Sequence, residues 1–249
     1  MEIISSDKSA QLRHSVLGVP VDACRDVLAS AIALHQRGGG QIITLNAEMT
    51  MAARSDQNLA AAIDAAELVI PDGAGVVWAL SLQGVKVVRS PGIELAWKLL
   101  CHAESQGWDV ALVGGAPEVI DQLQQRLSRE LPGLRVKLAI HGYQPSEGWP
   151  GLESCLHNVN PDLVLVALGI PRQEVWSMGM RSGSHGLWMG VGGSFDVWAG
   201  IKKRAPGWMS RLQIEWLYRL VQEPSRWQRM LSLPAFAWMV LSRGEGRRS

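Results

Sequence analysis

Short apolar runs recur along this chain, and each ends in a turn of glycine or polar residues. Gln41–Asn46, Leu68–Ile70, Val85–Arg89, Asp109–Val113, Val136–Ile140, Leu163–Leu168 and Leu187–Val191 read as strands. Several are continuously apolar rather than alternating, as parallel strands buried on both faces require. Helical patterns lie between them: Ala47–Glu67 as one helix or a pair, Ile93–Gln106, and Pro117–Leu131. Strand–helix alternation supplies the crossovers that parallel pairing needs. The expected fold is α/β: a Rossmann-like, mostly parallel sheet with helices on both faces.

That architecture says where a ligand would sit, because open parallel sheets bind outside the carboxyl ends of their strands. Here those ends carry Thr44-Leu45-Asn46 with Glu48 beyond, Asp72-Gly73-Ala74-Gly75, Gly114-Gly115, Gly169-Ile170-Pro171-Arg172-Gln173-Glu174, and Gly192-Gly193-Ser194-Phe195-Asp196. Glycine at such a turn lets backbone N–H groups approach a phosphate, and the following helix N-terminus favours its charge. Any one pair can equally be a tight turn and nothing more. Three in one sheet, beside polar side chains, favour a phosphate-bearing ligand.

Several classes can be excluded. There is no Walker A motif and no strict GxGxxG followed by an acid about 20 residues on, so the NTPase and dinucleotide readings fall, and with them an epimerase or dehydrogenase. No GxSxG elbow occurs. The six histidines show no ligand-spaced pair, and the three cysteines form no CxxC, so neither a metal nor a redox centre is expected. No Asp-x-Asp pair is available to hold a divalent cation on a nucleotide diphosphate. Arginine, whose guanidinium forks onto phosphate, is the substitute. Asp72 is the best candidate general base: it stands at a strand end, where a carboxylate can take the proton of an acceptor hydroxyl. The competing reading is an Asp that only caps the helix after Gly73.

Charge divides the chain. The total is +1, but residues 200–249 hold ten basic and three acidic residues, a surplus of seven, which leaves the first 199 with a deficit of six. A uniformly basic nucleic-acid-binding surface is therefore not expected. The tail also holds four of the eleven tryptophans. Trp208–Gln222 and Pro224–Leu241 are helical in pattern, and Pro234 interrupts the almost wholly apolar run Leu231–Leu241. Arg226 and Arg229 share a helix face, and Arg219 lies across the Pro224 break. Basic residues beside Trp, Phe, Met and Leu suit a helix lying in a membrane interface; a terminal helix docked on the body is the alternative. No run approaches the roughly 20 apolar residues of a spanning helix, and no signal peptide is read at the N-terminus. The domains are thus read as an α/β body, 1–199, and a helical appendage, 200–249.

Six ordered segments carry a resemblance: TLNAEM (Thr44–Met49), PDGAGVV (Pro71–Val77), LVGGAPE (Leu112–Glu118), VALGIPRQE (Val166–Glu174), VGGSFDVWAGIKKRAP (Val191–Pro206) and IEWLYRLVQEPSRWQR (Ile214–Arg229). With them the chain resembles the WecG/TagA/CpsF family of bacterial glycosyltransferases over about residues 14–230. The resemblance implies a metal-independent, inverting transfer from a UDP-sugar to a lipid-diphosphate-linked acceptor, with no cofactor. N-acetylmannosamine is the implied sugar, another UDP-hexose or UDP-uronic acid the alternative, and a non-catalytic UDP-sugar-binding module the remote one. It further implies Asp72 as base, Thr44 in the same pocket, Gln173 as a substrate contact, and Arg219, Arg226 and Arg229 closing over the diphosphate. The expected substrate-binding set is Thr44, Asn46, Gly73, Arg89, Gly114, Gly115, Gln173, Glu174, Gly192, Gly193, Phe195, Asp196, Arg219, Arg226 and Arg229. The expected setting is the cytoplasmic face of the plasma membrane, met through the appendage, and the Trp-rich surfaces permit self-association.

Overall fold

The computed structural model describes residues 11–203, 205–206, 209, 215–222, 227 and 231–242. Six strands form its main sheet: β3 (Gly40–Leu45), β4 (Leu68–Pro71), β5 (Asp109–Gly114), β6 (Arg135–Ile140), β7 (Leu163–Ala167) and β8 (Leu187–Gly190). They lie in the order β4-β3-β8-β7-β5-β6, and every neighbouring pair is parallel. The central runs are buried on both faces; Leu163, Val164, Leu165 and Val166 have no exposed surface.

Side chains alternate across the sheet with the period of two that a strand imposes. On one face Ile42, Ile70, Val110, Leu112, Leu165 and Met189 meet α1 (Val27–Gln36), α5 (Gly92–Gln106), α6 (Pro117–Glu130) and the short α9 (Ser194–Trp198). On the other, Ile43, Leu45 and Val69 pack with α2 (Ala47–Ala53), α3 (Gln57–Asp64) and α4 (Ala74–Leu82). Farther along that face Ala111, Val113, Val164 and Trp188 meet α7 (Trp149–Val159) and α8 (Arg172–Met180). Local chemistry sets these helices. Asp26, Asn46 and Asp56 cap α1, α2 and α3 by accepting from first-turn backbone N–H groups. In α6, Val119, Ile120, Leu123 and Leu127 recur at helical spacing on the buried side.

An antiparallel hairpin, β1 (Gln11–Val16) and β2 (Val19–Cys24), was not expected from sequence. Its turn is Leu17-Gly18, both at positive φ, the mirror-image turn that matches strand twist. Asp22, fully buried, clamps it to the sheet edge: the carboxylate accepts from Arg13 Nε and Nη2 at 2.9 Å each and from Val69 N at 2.7 Å. This side-chain bond stands where a backbone ladder would otherwise extend β4.

Two expectations are corrected. Val85–Arg89 is not a strand. It connects α4 to α5 beyond β4, and the neighbouring Ser90 reaches that strand through one backbone bond, Ser90 N to Pro71 O, rather than a ladder. Pro234 does not interrupt its helix, which runs Ser232–Ser242 with Pro234 in the first turn, where no intrahelical N–H bond is lost. That terminal helix rests on the body: Phe236 and Val240, 2% and 1% exposed, join the cluster formed by α2 and α4. Of the other expected tail helix, Glu215–Gln222 is seen.

Candidate active site

The carboxyl ends of all six strands open into one cleft of about 610 Å³. Each strand places a residue there. Thr44 lies near the end of β3 and Asn46 follows it, Asp72 follows β4, Gly115 and Ala116 follow β5, Gly142 and Tyr143 follow β6, Gly169 follows β7, and Gly192 and Gly193 follow β8. Lys202, Lys203 and Tyr218 approach from the tail side.

Asp72 is pinned through its backbone. Its N–H donates to Leu45 O at 3.0 Å, and its carbonyl accepts from Arg89 Nε at 2.6 Å. This bond brings Arg89, from the irregular 85–91 connection, to the same wall. The cap position of α4 is Gly73 rather than Asp72. Glycine is required there because a Cβ would come within 2.8 Å of the Asn46 Cβ. The tight approach sets Asp72 beside Asn46 and Thr44, although Asn46 and Asp72 are 26 positions apart in the chain.

The opposite wall is built by glycine turns. Gly114 has φ 114°, and a Cβ there would lie 2.3 Å from Ala167 O, so no side chain fits between β5 and β7. Gly115 N donates to that same carbonyl at 3.0 Å, while Gly115 O receives Gly142 N at 2.8 Å. These bonds draw the ends of β5, β6 and β7 into one floor.

Cationic side chains surround this space. Arg89, Arg172, Lys202 and Lys203 line it with the acids Glu48, Asp72 and Asp196. Lys202 Nζ lies 3.5 Å from Asp196 Oδ1, and the Arg172 guanidinium stacks 4.6 Å from the Trp149 ring centre. A guanidinium held over a ring face can still donate N–H groups to a phosphate.

The cleft therefore collects Thr44, Asn46, Asp72, Arg89, Gly115, Gln173, Gly192, Gly193 and Asp196 from the expected set. Gly73 and Gly114 support it from behind. Phe195 and Glu174 are buried, at 0% and 2% exposed, and do not line it. Arg219 lies on the helix Glu215–Gln222; Arg226 and Arg229 lie outside the described residues. Tyr143, Arg172, Lys202 and Lys203 were not singled out from sequence. The strand-end rule, applied to β6 as to the others, finds Tyr143, and the motif segments already contained the other three.

Gln173 and Glu174 form a buried polar layer under the floor. Gln173 Oε1 accepts from Gly169 N and Gly192 N, both at 3.1 Å, and its Nε2 donates to Glu174 Oε1 at 2.7 Å. Burial pushes the Glu174 carboxyl up to about 7, against the opposing pull of the Gln173 bond. Among the described residues no cluster of His, Cys, Asp and Glu is arranged to hold a metal ion, and no helix is long and apolar enough to cross a membrane.

The fold and the cleft define a Rossmann-like α/β protein with its site at the carboxyl edge of a parallel sheet. A family model, Glycosyl transferase WecG/TagA/CpsF family, matches residues 14–249. The chain belongs to this family and is a glycosyltransferase. It is 34% identical over 218 residues to the N-acetylglucosaminyldiphosphoundecaprenol N-acetyl-beta-D-mannosaminyltransferase of Bacillus subtilis (strain 168), covering 87% of this chain and 84% of the relative. The protein of the same name from Bacillus spizizenii (strain ATCC 23059 / NRRL B-14472 / W23) is 35% identical over 210 residues, covering 84% and 81%.

Proposed function

We propose that this chain transfers N-acetylmannosamine, or a closely related sugar, from a UDP-sugar to a sugar on a lipid-linked diphosphate. Kinship supports the transferred sugar and the acceptor: both relatives are named as N-acetyl-beta-D-mannosaminyltransferases acting on N-acetylglucosaminyldiphosphoundecaprenol. The observation that carries the chemistry is Asp72 at the end of β4, sharing one cleft with Arg89, Lys202 and Lys203. Asp72 takes the proton of the acceptor hydroxyl. The freed oxygen attacks the anomeric carbon from the face opposite the UDP, the bond to the UDP oxygen breaks, and the configuration inverts. Charge growing on the leaving diphosphate is met by guanidinium and ammonium groups of the chain, with Arg219, Arg226 and Arg229 of the tail added to those of the cleft. On this reading transfer persists in EDTA.

The membrane is the proposed second partner. Among the described residues, six of the ten large apolar side chains most open to solvent lie beyond residue 215: Leu217, Val221, Trp227, Leu231, Trp238 and Leu241. On the terminal helix Trp238 and Leu241 lie off the side of Phe236 and Val240, with Leu231 exposed just before its start, so one side grips the body and the other offers an apolar stripe. A half-docked helix with tryptophan outward suits a lipid interface at which the acceptor is embedded. The proposed location is accordingly peripheral, on the cytoplasmic face.

The test is direct. Purified protein, UDP-N-acetylmannosamine and a synthetic lipid-diphosphate N-acetylglucosamine are combined, and the product linkage is read by NMR. A β-linked disaccharide on the lipid is expected. Binding of UDP without transfer to any lipid-diphosphate sugar would favour the non-catalytic module instead.

A further inference from the structure

Two consecutive residues of α8, Gln173 and Glu174, are 3% and 2% exposed, an unusual place for an amide and a carboxyl side by side. The Gln173 oxygen is shared between two backbone donors on different turns, Gly169 after β7 and Gly192 after β8. One atom thus ties together two of the turns that floor the cleft. The arrangement holds only while the carboxamide keeps one orientation, because reversed it would set an NH₂ group against two N–H donors. Glu174 Oε1 accepts from Nε2 at 2.7 Å and selects that orientation. The space is closed on the third side, since a Cβ on Gly190 would lie 2.5 Å from Gln173 Nε2. Glu174 itself is anchored: its backbone carbonyl accepts from Gln41 Nε2 at 2.9 Å, which joins α8 to β3, the strand that carries Thr44.

We propose that Glu174 is a positioning residue of the transfer site, which locks the Gln173 carboxamide and through it holds the β7 and β8 turns in the shape that receives the sugar donor. It touches no ligand and acts through Gln173. The claim rests on the transferase reading for its kinetic consequence but not for its structural one. With the lock in place Gln173 has one Nε2 hydrogen left for a ligand.

Three variants separate this from general destabilisation. Glu174→Gln keeps a side-chain carbonyl that accepts from Gln173, Glu174→Leu removes the acceptor, and Glu174→Asp withdraws it by one methylene. Amide hydrogen exchange of Gly169 and Gly192 is read in each without substrate, and KM for UDP-N-acetylmannosamine and kcat are measured alongside. Expected for Leu and Asp is exchange at both glycines faster by about tenfold, the scale of one lost hydrogen bond, with a matching rise in KM. The Gln variant should stay within about twofold of the parent protein. Gln173→Leu added to Glu174→Leu should bring little further loss, as expected of residues acting through one contact. The proposal is overturned if Gln and Leu behave alike, if the losses at 173 and 174 add, or if the glycine amides are unmoved. Should no form of the protein transfer sugar while the exchange pattern holds, the transferase reading fails and the lock stands.

Discussion

Glu174 gives a sharp handle on stability, because its carboxyl is buried beside neutral partners and its proton affinity differs between folded and unfolded chains. Burial raises its pKa to about 7, from an ordinary value of 4.5. Between those two pH values the folded chain keeps a proton that the unfolded chain releases. The stability tied to the neutral carboxyl is therefore complete below about pH 4.5 and declines as pH rises through about 7. The full displacement corresponds to roughly 3 kcal/mol, most of which falls between pH 5 and 8. Glu174→Gln fills the same space and carries no titrating proton. The assay is urea unfolding of the parent and the variant across that pH range. Other titrating groups cancel in the difference, so the variant should gain about 2–3 kcal/mol on the parent between pH 5 and 8. A flat difference would refute the argument that burial dominates. A difference of opposite sign would mean that the folded state prefers the ionised carboxylate.

Further predictions concern the supports of the cleft and the tail. Phe236→Ala should cost about 3–5 kcal/mol in urea unfolding, since the ring is 2% exposed in the core under α2 and α4. A loss under about 1 kcal/mol would mean that the terminal helix is not docked. Arg13→Met takes the half-exposed guanidinium from the buried Asp22, which keeps only its bond from Val69 N, and should destabilise by about 1.5–3 kcal/mol; the hairpin amides should exchange first. Trp238→Ser, at a side chain 73% exposed, should change stability by no more than about 0.5 kcal/mol. It should nonetheless weaken cosedimentation with anionic lipid vesicles, and unchanged binding would remove the stripe from the membrane account.

Most of the sheet was legible in the sequence because its central strands are buried on both faces and read as continuous apolar runs. The strand-end rule then located Thr44, Asp72, Gly115 and Gly192 without any side-chain geometry. It also misled at Val85–Arg89, where a β-branched run lies along the edge of the cleft as an irregular connection. Arg89 still reaches the wall, but through the Asp72 carbonyl and not as a strand end. The hairpin escaped notice because its register is held by Asp22 and Arg13, a polar clamp that no hydrophobic pattern announces. Phe195 and Glu174 lie within the motif segments, and nothing in the spacing told which residues of those short helices face the cleft and which lie beneath it. Helix rotation is set by packing, of α8 against β3, β7 and β8 and of α9 against α6, a tertiary fact. The tail divided in the same way: the sequence suggested both docking and membrane contact, and the terminal helix shows a docked face and an exposed one.

The central claim is that Asp72 is the base of a sugar transfer in this cleft, and Asp72→Asn tests it most directly. Asparagine keeps the size and the backbone bonds to Leu45 and Arg89 but cannot accept the hydroxyl proton. Transfer to the lipid-diphosphate acceptor is timed in the same preparations whose UDP affinity is measured by calorimetry. The account predicts unchanged folding, UDP affinity close to that of the parent, and transfer slower by about 10²–10⁴-fold. Turnover near that of the parent with intact UDP binding would contradict it.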